Sequence, residues 1–130
     1  MKIRTLVSSS LLILLAVLFA YGQPMVVKAR IPFAFTVEGK VLPAGQYEFT
    51  PNINSDAIRV VGSGKGTGAL AMVITMLSGA MHTTPQDAHI VFDKVGNTYT
   101  LSEIWEPTGD GYLVHATKGK HEHQVVNVPR

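Results

Sequence analysis

The sequence predicts a single all-β domain, an antiparallel sandwich or small barrel of about seven or eight strands. Three observations support this fold class. Apolar and polar residues alternate from Met25 to Val37, which is the two-residue period of a strand. Two strand-like segments flank Gly96-Asn97, a dipeptide typical of tight hairpins. Turn residues recur at short intervals, and no long segment shows the 3.6-residue period of a helix.

The first predicted strand runs from Met25 to Val37, where every odd position is apolar. This length exceeds that of most strands, and proline cannot donate to a β-ladder, so a bend is expected near Pro32. Leu42 to Gly45 has proline and glycine where a type I turn favours them. Alternation then resumes from Gln46 to Thr50, which is the second predicted strand.

The middle of the chain contains two further predicted strands and two connections. Ala57 to Val61 is a short, mostly apolar run and predicts a strand, whereas Gly62 to Gly68 is glycine-rich and predicts a flexible connection. Eight of the nine residues from Ala69 to Leu77 are apolar. This segment predicts a strand buried on both faces, with a buried helix as the alternative. Ser78 to His89 is expected to be an irregular loop.

The Gly96-Asn97 hairpin gives the clearest local prediction. Glycine in the first position suits a type II′ turn, which fixes the register of the two strands. Phe92 is then expected opposite Leu101, and Val95 opposite Thr98. A further turn is expected over residues 106–111. The predicted strands of this region are Ile90–Val95, Thr98–Ile104, Tyr112–Ala116 and His123–Val128.

The first 22 residues have the three parts of an export signal. Lys2 and Arg4 supply positive charge, Leu11 to Ala20 is an uninterrupted apolar run, and small residues precede a cut between Gly22 and Gln23. The alternative is an uncleaved anchor, but the apolar run is shorter than the roughly 20 residues of a membrane-spanning helix. We therefore predict a signal peptide over residues 1–22 and the β domain over residues 23–130. We therefore expect the protein to be exported to the periplasm or the extracellular space and to have no membrane span after cleavage.

Charge and cysteine content narrow the function classes. The chain has 11 Lys plus Arg and 9 Asp plus Glu, and loss of Lys2 and Arg4 leaves a neutral mature domain. Nucleic-acid binding is not expected, because it requires a clustered basic face. The chain contains no cysteine, so its stability must come from core packing without disulfides.

Four segments resemble one known group of proteins. They are IPFAFTV at residues 31–37, LPAGQYEF at 42–49, LSEIW at 101–105 and the KGKHEH-type segment that ends at His123. Together they are similar to a group of small exported bacterial proteins of uncharacterised function. The resemblance covers most of the mature chain and implies export and a β fold. It carries over no catalytic or binding residue.

The glycine-rich connection does not fit a phosphate-binding loop. A Walker loop requires glycine five residues before Gly64, where the chain has Arg59, and Ser or Thr after Lys65, where it has Gly66. The dinucleotide pattern of glycines is met, but no convincing helix follows it. No cofactor is therefore expected.

No set of residues predicts an active site. Glu103 and Glu106 are three residues apart, which places them on opposite faces of a strand and does not suit a pair of glycosidase carboxylates. Asp87 and His89 have no serine in a nucleophile elbow to act with. No catalytic residue is predicted.

His121 and His123 form the one cluster with metal-ligand character. Residues i and i+2 of a strand share a face, so both imidazoles could bind one Zn²⁺ or Cu²⁺, with His115 as a third ligand if the strands pair. Lys118 and Lys120 lie beside the pair and disfavour a dication. A solvated polar turn that binds divalent metal only weakly is expected on this basis, and a specific metal site is the alternative.

Trp105 and Tyr112 flank the loop from Glu106 to Gly111. They are candidates for an aromatic ligand-binding platform, with a place in the core as the alternative.

The expected function is that of an exported non-enzymatic β-module that acts by protein or surface interaction, with an unknown protein or cell-envelope partner. One alternative is a small-ligand carrier whose sheet encloses an apolar cavity. The other is a metal-assisted exported enzyme that uses His121 and His123.

Overall fold

The computed structural model describes residues 25–52, 55–79 and 87–129. These residues form eleven strands in two mostly antiparallel sheets, and they contain no helix. The all-β prediction is confirmed, and the sheets pack as a sandwich and do not close into a barrel. The predicted signal peptide lies outside the described residues. Within them, no helix is long and apolar enough to cross a bilayer.

The strands are β1 Val27–Ile31, β2 Phe35–Val37, β3 Lys40–Leu42, β4 Gly45–Asn52, β5 Ala57–Gly62, β6 Gly68–Met72, β7 Thr75–Ser78, β8 His89–Val95, β9 Thr98–Trp105, β10 Asp110–Leu113 and β11 Glu122–Asn127. The four-stranded sheet has the order β1-β4-β5-β6, and the main path of the seven-stranded sheet has the order β11-β8-β9-β10-β7. The hairpin β2-β3 completes the larger sheet through one parallel pairing of Thr36 with Thr100.

The first predicted strand is two strands in different sheets. The chain leaves the four-stranded sheet after Ile31 and enters the larger one at Phe35, so the expected bend near Pro32 is a sheet-to-sheet crossover. The alternation persists through the crossover, because both sheets turn one face toward the same core. The buried odd positions are Val27, Ala29, Ile31, Phe35 and Val37.

The apolar segment after the glycine-rich loop also crosses between sheets. Strand structure is confirmed here, but the prediction of burial on both faces is wrong. β6 and β7 each lie at the edge of their sheet, and every second side chain faces solvent. The exposed large apolar residues of this segment are Leu70, Met72, Ile74 and Met76. These crossovers and the short β2-β3 hairpin explain why the predicted count of seven or eight strands is too low.

Charged side chains cover the free edge of β6. Lys40 Nζ donates to the carbonyl of Gly68 at 2.8 Å, and the amide of Met72 donates to Glu38 Oε1 at 3.1 Å. Both side chains come from the β2-β3 hairpin, whose turn places Glu38 and Gly39 at φ 48° and 79°. Such contacts occupy backbone groups that could otherwise pair with another chain.

The β8-β9 hairpin has the predicted register. Val95 lies opposite Thr98, and Phe92 lies opposite Leu101. Gly96 has φ 61°, and it alone of the two turn residues lies in the left-handed region, as a type II′ turn requires.

A β-bulge in the β8-β9 pairing lies at Ser102. Val91 pairs with Glu103 and the next residue pairs with Leu101, so Ser102 has no direct partner. Its carbonyl accepts the amides of Val114 and His115, and its hydroxyl donates to the carbonyl of His115 at 2.8 Å. The bulge therefore ends the predicted Tyr112–Ala116 strand at Leu113 and draws the following segment across β9 toward β8.

Gly111 provides a test of packing on the outer face of the larger sheet. A Cβ at this position would lie 2.7 Å from Cδ2 of Trp105, whose ring is buried and stacked on His89. We expect Gly111→Ala to destabilise the fold by about 1 to 3 kcal/mol, because the ring cannot retreat. The exposed neighbour variant Asp110→Ala should cost under about 0.5 kcal/mol in the same urea titration. Similar losses in the two variants would contradict this packing.

Candidate metal centre

Three potential ligands meet on the larger sheet. Asp93 comes from β8, His123 from β11, and His121 from the segment that leads into β11. One ligand atom of each lies within 4.8 Å of the other two. The cluster therefore joins Asp93 to two histidines that lie 28 and 30 positions later in the sequence.

Asp93 is the buried member of the cluster. Its side chain is 2% exposed, and Oδ2 accepts a hydrogen bond of 2.7 Å from the hydroxyl of Thr117. Oδ1 accepts no hydrogen bond from any described residue. A buried carboxylate oxygen without a hydrogen bond is costly, so an oxygen in this state points to a cation beside it, either a protonated imidazole or a metal ion.

The β-ladder positions His123. It lies directly opposite Asp93 in the β8-β11 pairing, and directly opposed residues share one face of a sheet. Its Nδ1 is 3.2 Å from Oδ1 of Asp93. The side chain is 57% exposed, which leaves one side of the cluster open to solvent.

A local turn positions His121. Gly119 adopts φ 91°, which turns the chain back, and its carbonyl oxygen lies 2.9 Å from Nδ1 of His121. Nδ1 therefore carries a proton, since a carbonyl oxygen only accepts. The other nitrogen, Nε2, faces Oδ1 of Asp93 at 3.8 Å. This is the orientation in which an outer hydrogen bond commonly holds a metal-binding imidazole.

The spacing of the ligand atoms suits a small transition-metal ion. Imidazole nitrogens and carboxylate oxygens bind Zn²⁺ at about 2.0 to 2.2 Å, which separates two ligands of a tetrahedral site by about 3.3 to 3.5 Å. The distances from Oδ1 of Asp93 to the two nitrogens are 3.2 and 3.8 Å. Small side-chain movements would bring all three atoms to bonding distance, with a fourth position left for water or another ligand.

His115, the third ligand considered from the sequence, lies outside this cluster. Its backbone is held at Ser102 on β9, and its side chain is exposed. Asp93 takes the position of the third ligand. Lys118 and Lys120 are exposed, so water screens their repulsion of a cation.

The structure separates the two aromatic candidates. Trp105 is 1% exposed and stacks on His89 with ring centroids 5.6 Å apart, which leaves no surface for a ligand. Its indole N–H donates to Glu103 Oε1 at 3.2 Å. Tyr112 lies opposite Ile104, the residue before Trp105, and packs against the core between the sheets. The two rings therefore do not form one platform.

Tyr112 forms a polar contact of its own. Its hydroxyl donates to Glu106 Oε1 at 2.8 Å. Burial, and then this hydrogen bond and the charge of Glu106, raise the pKa of Tyr112 to about 12. The phenol is therefore a neutral donor at physiological pH.

No protein-family model, curated protein or solved structure matches this chain.

Proposed function

We propose that this protein is an exported, non-enzymatic β-sandwich module of the periplasm or extracellular space that binds one divalent transition-metal ion through Asp93, His121 and His123. The observation that carries the proposal is the buried Oδ1 of Asp93, which accepts no hydrogen bond within the described part of the chain and faces two imidazole nitrogens. Two imidazoles and one carboxylate favour Zn²⁺ or Cu²⁺ over the oxygen-preferring Mg²⁺ and Ca²⁺.

The hydrogen bond of His121 orients its other ring nitrogen, Nε2, toward the carboxylate as a metal ligand requires. With the proton on Nδ1, Nε2 of a neutral imidazole carries a lone pair that points at a carboxylate oxygen. Two acceptors that face each other repel unless a proton or a metal ion lies between them. A metal ion satisfies both atoms and also compensates the charge of the buried carboxylate.

Isothermal titration of the mature chain with Zn²⁺ tests this proposal. We expect one ion per chain, no heat from Mg²⁺ under the same conditions, and a loss of Zn²⁺ affinity of at least about tenfold in His121→Ala and in His123→Ala. His115→Ala is the matched control, because it removes an exposed histidine outside the cluster and should change the affinity less than about twofold. An equal loss in His115→Ala, or the absence of stoichiometric Zn²⁺ binding, would refute the assignment.

The same variants separate a binding module from a metal-assisted enzyme. We expect hydrolase assays on the zinc-loaded protein to show no metal-dependent turnover, that is, no activity that disappears when a chelator is added. Chelator-sensitive turnover that is also lost in His123→Ala would replace the non-enzymatic proposal by the enzymatic one.

Exposed apolar side chains support an action through protein or surface contact. Leu70 and Met72 are 57% and 54% exposed on β6. Because Lys40 and Glu38 cover backbone groups at the edge of this strand, we infer that a partner contacts the side chains of this face and does not extend the sheet.

A further inference from the structure

A groove opens at the border of the two sheets, away from the metal cluster. Pro51 of β4 and Ala57 of β5 line it from the four-stranded sheet, and Met76 of β7 and Tyr112 of β10 line it from the larger sheet. Its volume is about 520 Å³, within the range of about 300 to 1,000 Å³ that small-molecule sites occupy. It shares no lining residue with Asp93, His121 or His123.

Exposed apolar side chains form much of the groove wall. Met25, Ile74 and Met76 are 42%, 59% and 60% exposed. Covering them removes apolar surface from water, which is favourable in proportion to the area covered. Methionine is flexible and polarisable, so this wall adapts to the shape of an apolar tail.

The charged side chains among the described lining residues of the groove are all acidic. Asp56 and Glu106 line it, and none of its described lining residues is Lys, Arg or His. Tyr112 adds an aromatic ring beside Glu106, held there by its hydroxyl. Carboxylates and an aromatic face both attract a cation and disfavour an anion.

We infer that this groove binds a small organic cation, an apolar chain that carries an ammonium group. The chain covers the methionine wall, and the ammonium lies between Asp56, Glu106 and the ring of Tyr112. This ligand site is independent of the proposed metal function.

The matched probes are octyltrimethylammonium and octanoate, which have eight-carbon chains and opposite charges. Titration of each into the mature protein, followed by calorimetry, should give binding of the cation at least about tenfold tighter than that of the anion. Saturation with Zn²⁺ should leave the cation affinity within about twofold, as expected for a separate site. Equal affinities for the two probes would overturn the charge selectivity, and a strong effect of Zn²⁺ would overturn the independence of the sites.

Two lysine substitutions locate the site. Met76→Lys places a positive charge in the groove and should weaken cation binding at least about tenfold, whereas Leu70→Lys makes the same change on an equally exposed residue that does not line it. Glu106→Gln should lower the affinity for the cation severalfold and should not lower the affinity for octanoate. If Leu70→Lys lowers the affinity for the cation as much as Met76→Lys does, or if neither variant lowers it, the groove is not the binding site. Circular dichroism confirms that each variant is folded before it is titrated.

Discussion

Phe35→Ala should lower the free energy of unfolding by about 3 to 5 kcal/mol, because a buried aromatic side chain leaves a cavity that its neighbours fill only in part. Phe35 is 1% exposed, and its ring packs edge-on against Tyr47 of the four-stranded sheet and Phe92 of the larger sheet, at centroid distances of 5.0 and 5.2 Å. The ring therefore contributes to the contact between the two sheets. Urea titration followed by circular dichroism measures the loss.

Thr36→Ala is the adjacent control. Thr36 is partly exposed and lies on the opposite face of β2, so its truncation should cost under about 1 kcal/mol. Equal losses at the two positions would contradict the assignment of odd residues to the core.

Local patterns predict the strands well because they depend on neighbours in the sequence. Alternation identified the buried positions of β1 and β2, and glycine before Asn97 identified a turn that only a residue tolerant of positive φ forms readily. The alternation and the turn both depend only on residues within the segments that show them.

Sheet membership depends on distant contacts, and the sequence does not encode it locally. Nothing in Ala69–Leu77 distinguishes a central strand from two edge strands, since its apolar side chains fit either. The β2-β3 hairpin was not predicted because its turn places Glu38, a residue without a preference for positive φ, at 48°. Contacts of Glu38 and Lys40 with β6 accompany that conformation.

Only two of the three residues of the candidate metal centre, His121 and His123, could be predicted from their spacing in the sequence. The spacing of His121 and His123 was enough to place them together, but Asp93 lies in an apolar strand and only the β8-β11 register brings it opposite His123. A single acid among the apolar residues of the predicted Ile90–Val95 strand was the available signal. Such an acid needs a partner, and the histidines were the candidates.

The buried carboxylate makes thermal stability a sensitive measure of metal binding. A metal that binds only the folded state adds about 2.7 kcal/mol when its free concentration is a hundredfold above its dissociation constant. For a domain of this size that gain raises the melting midpoint by roughly 10 °C or more. We therefore expect Zn²⁺ to raise the midpoint of the chelator-treated protein by this amount, and Mg²⁺ to leave it unchanged.

Asp93→Asn separates the metal effect from ordinary loss of packing. Asparagine keeps the shape and the acceptor for Thr117, removes the buried charge, and offers an amide donor to the imidazoles. The metal-free variant should therefore melt no lower than the metal-free parent, while its response to Zn²⁺ should fall to a small part of the parental shift. A full shift in Asp93→Asn would remove Asp93 from the site. A variant that melts far lower without metal and still responds to Zn²⁺ would show that Asp93 has a structural role only.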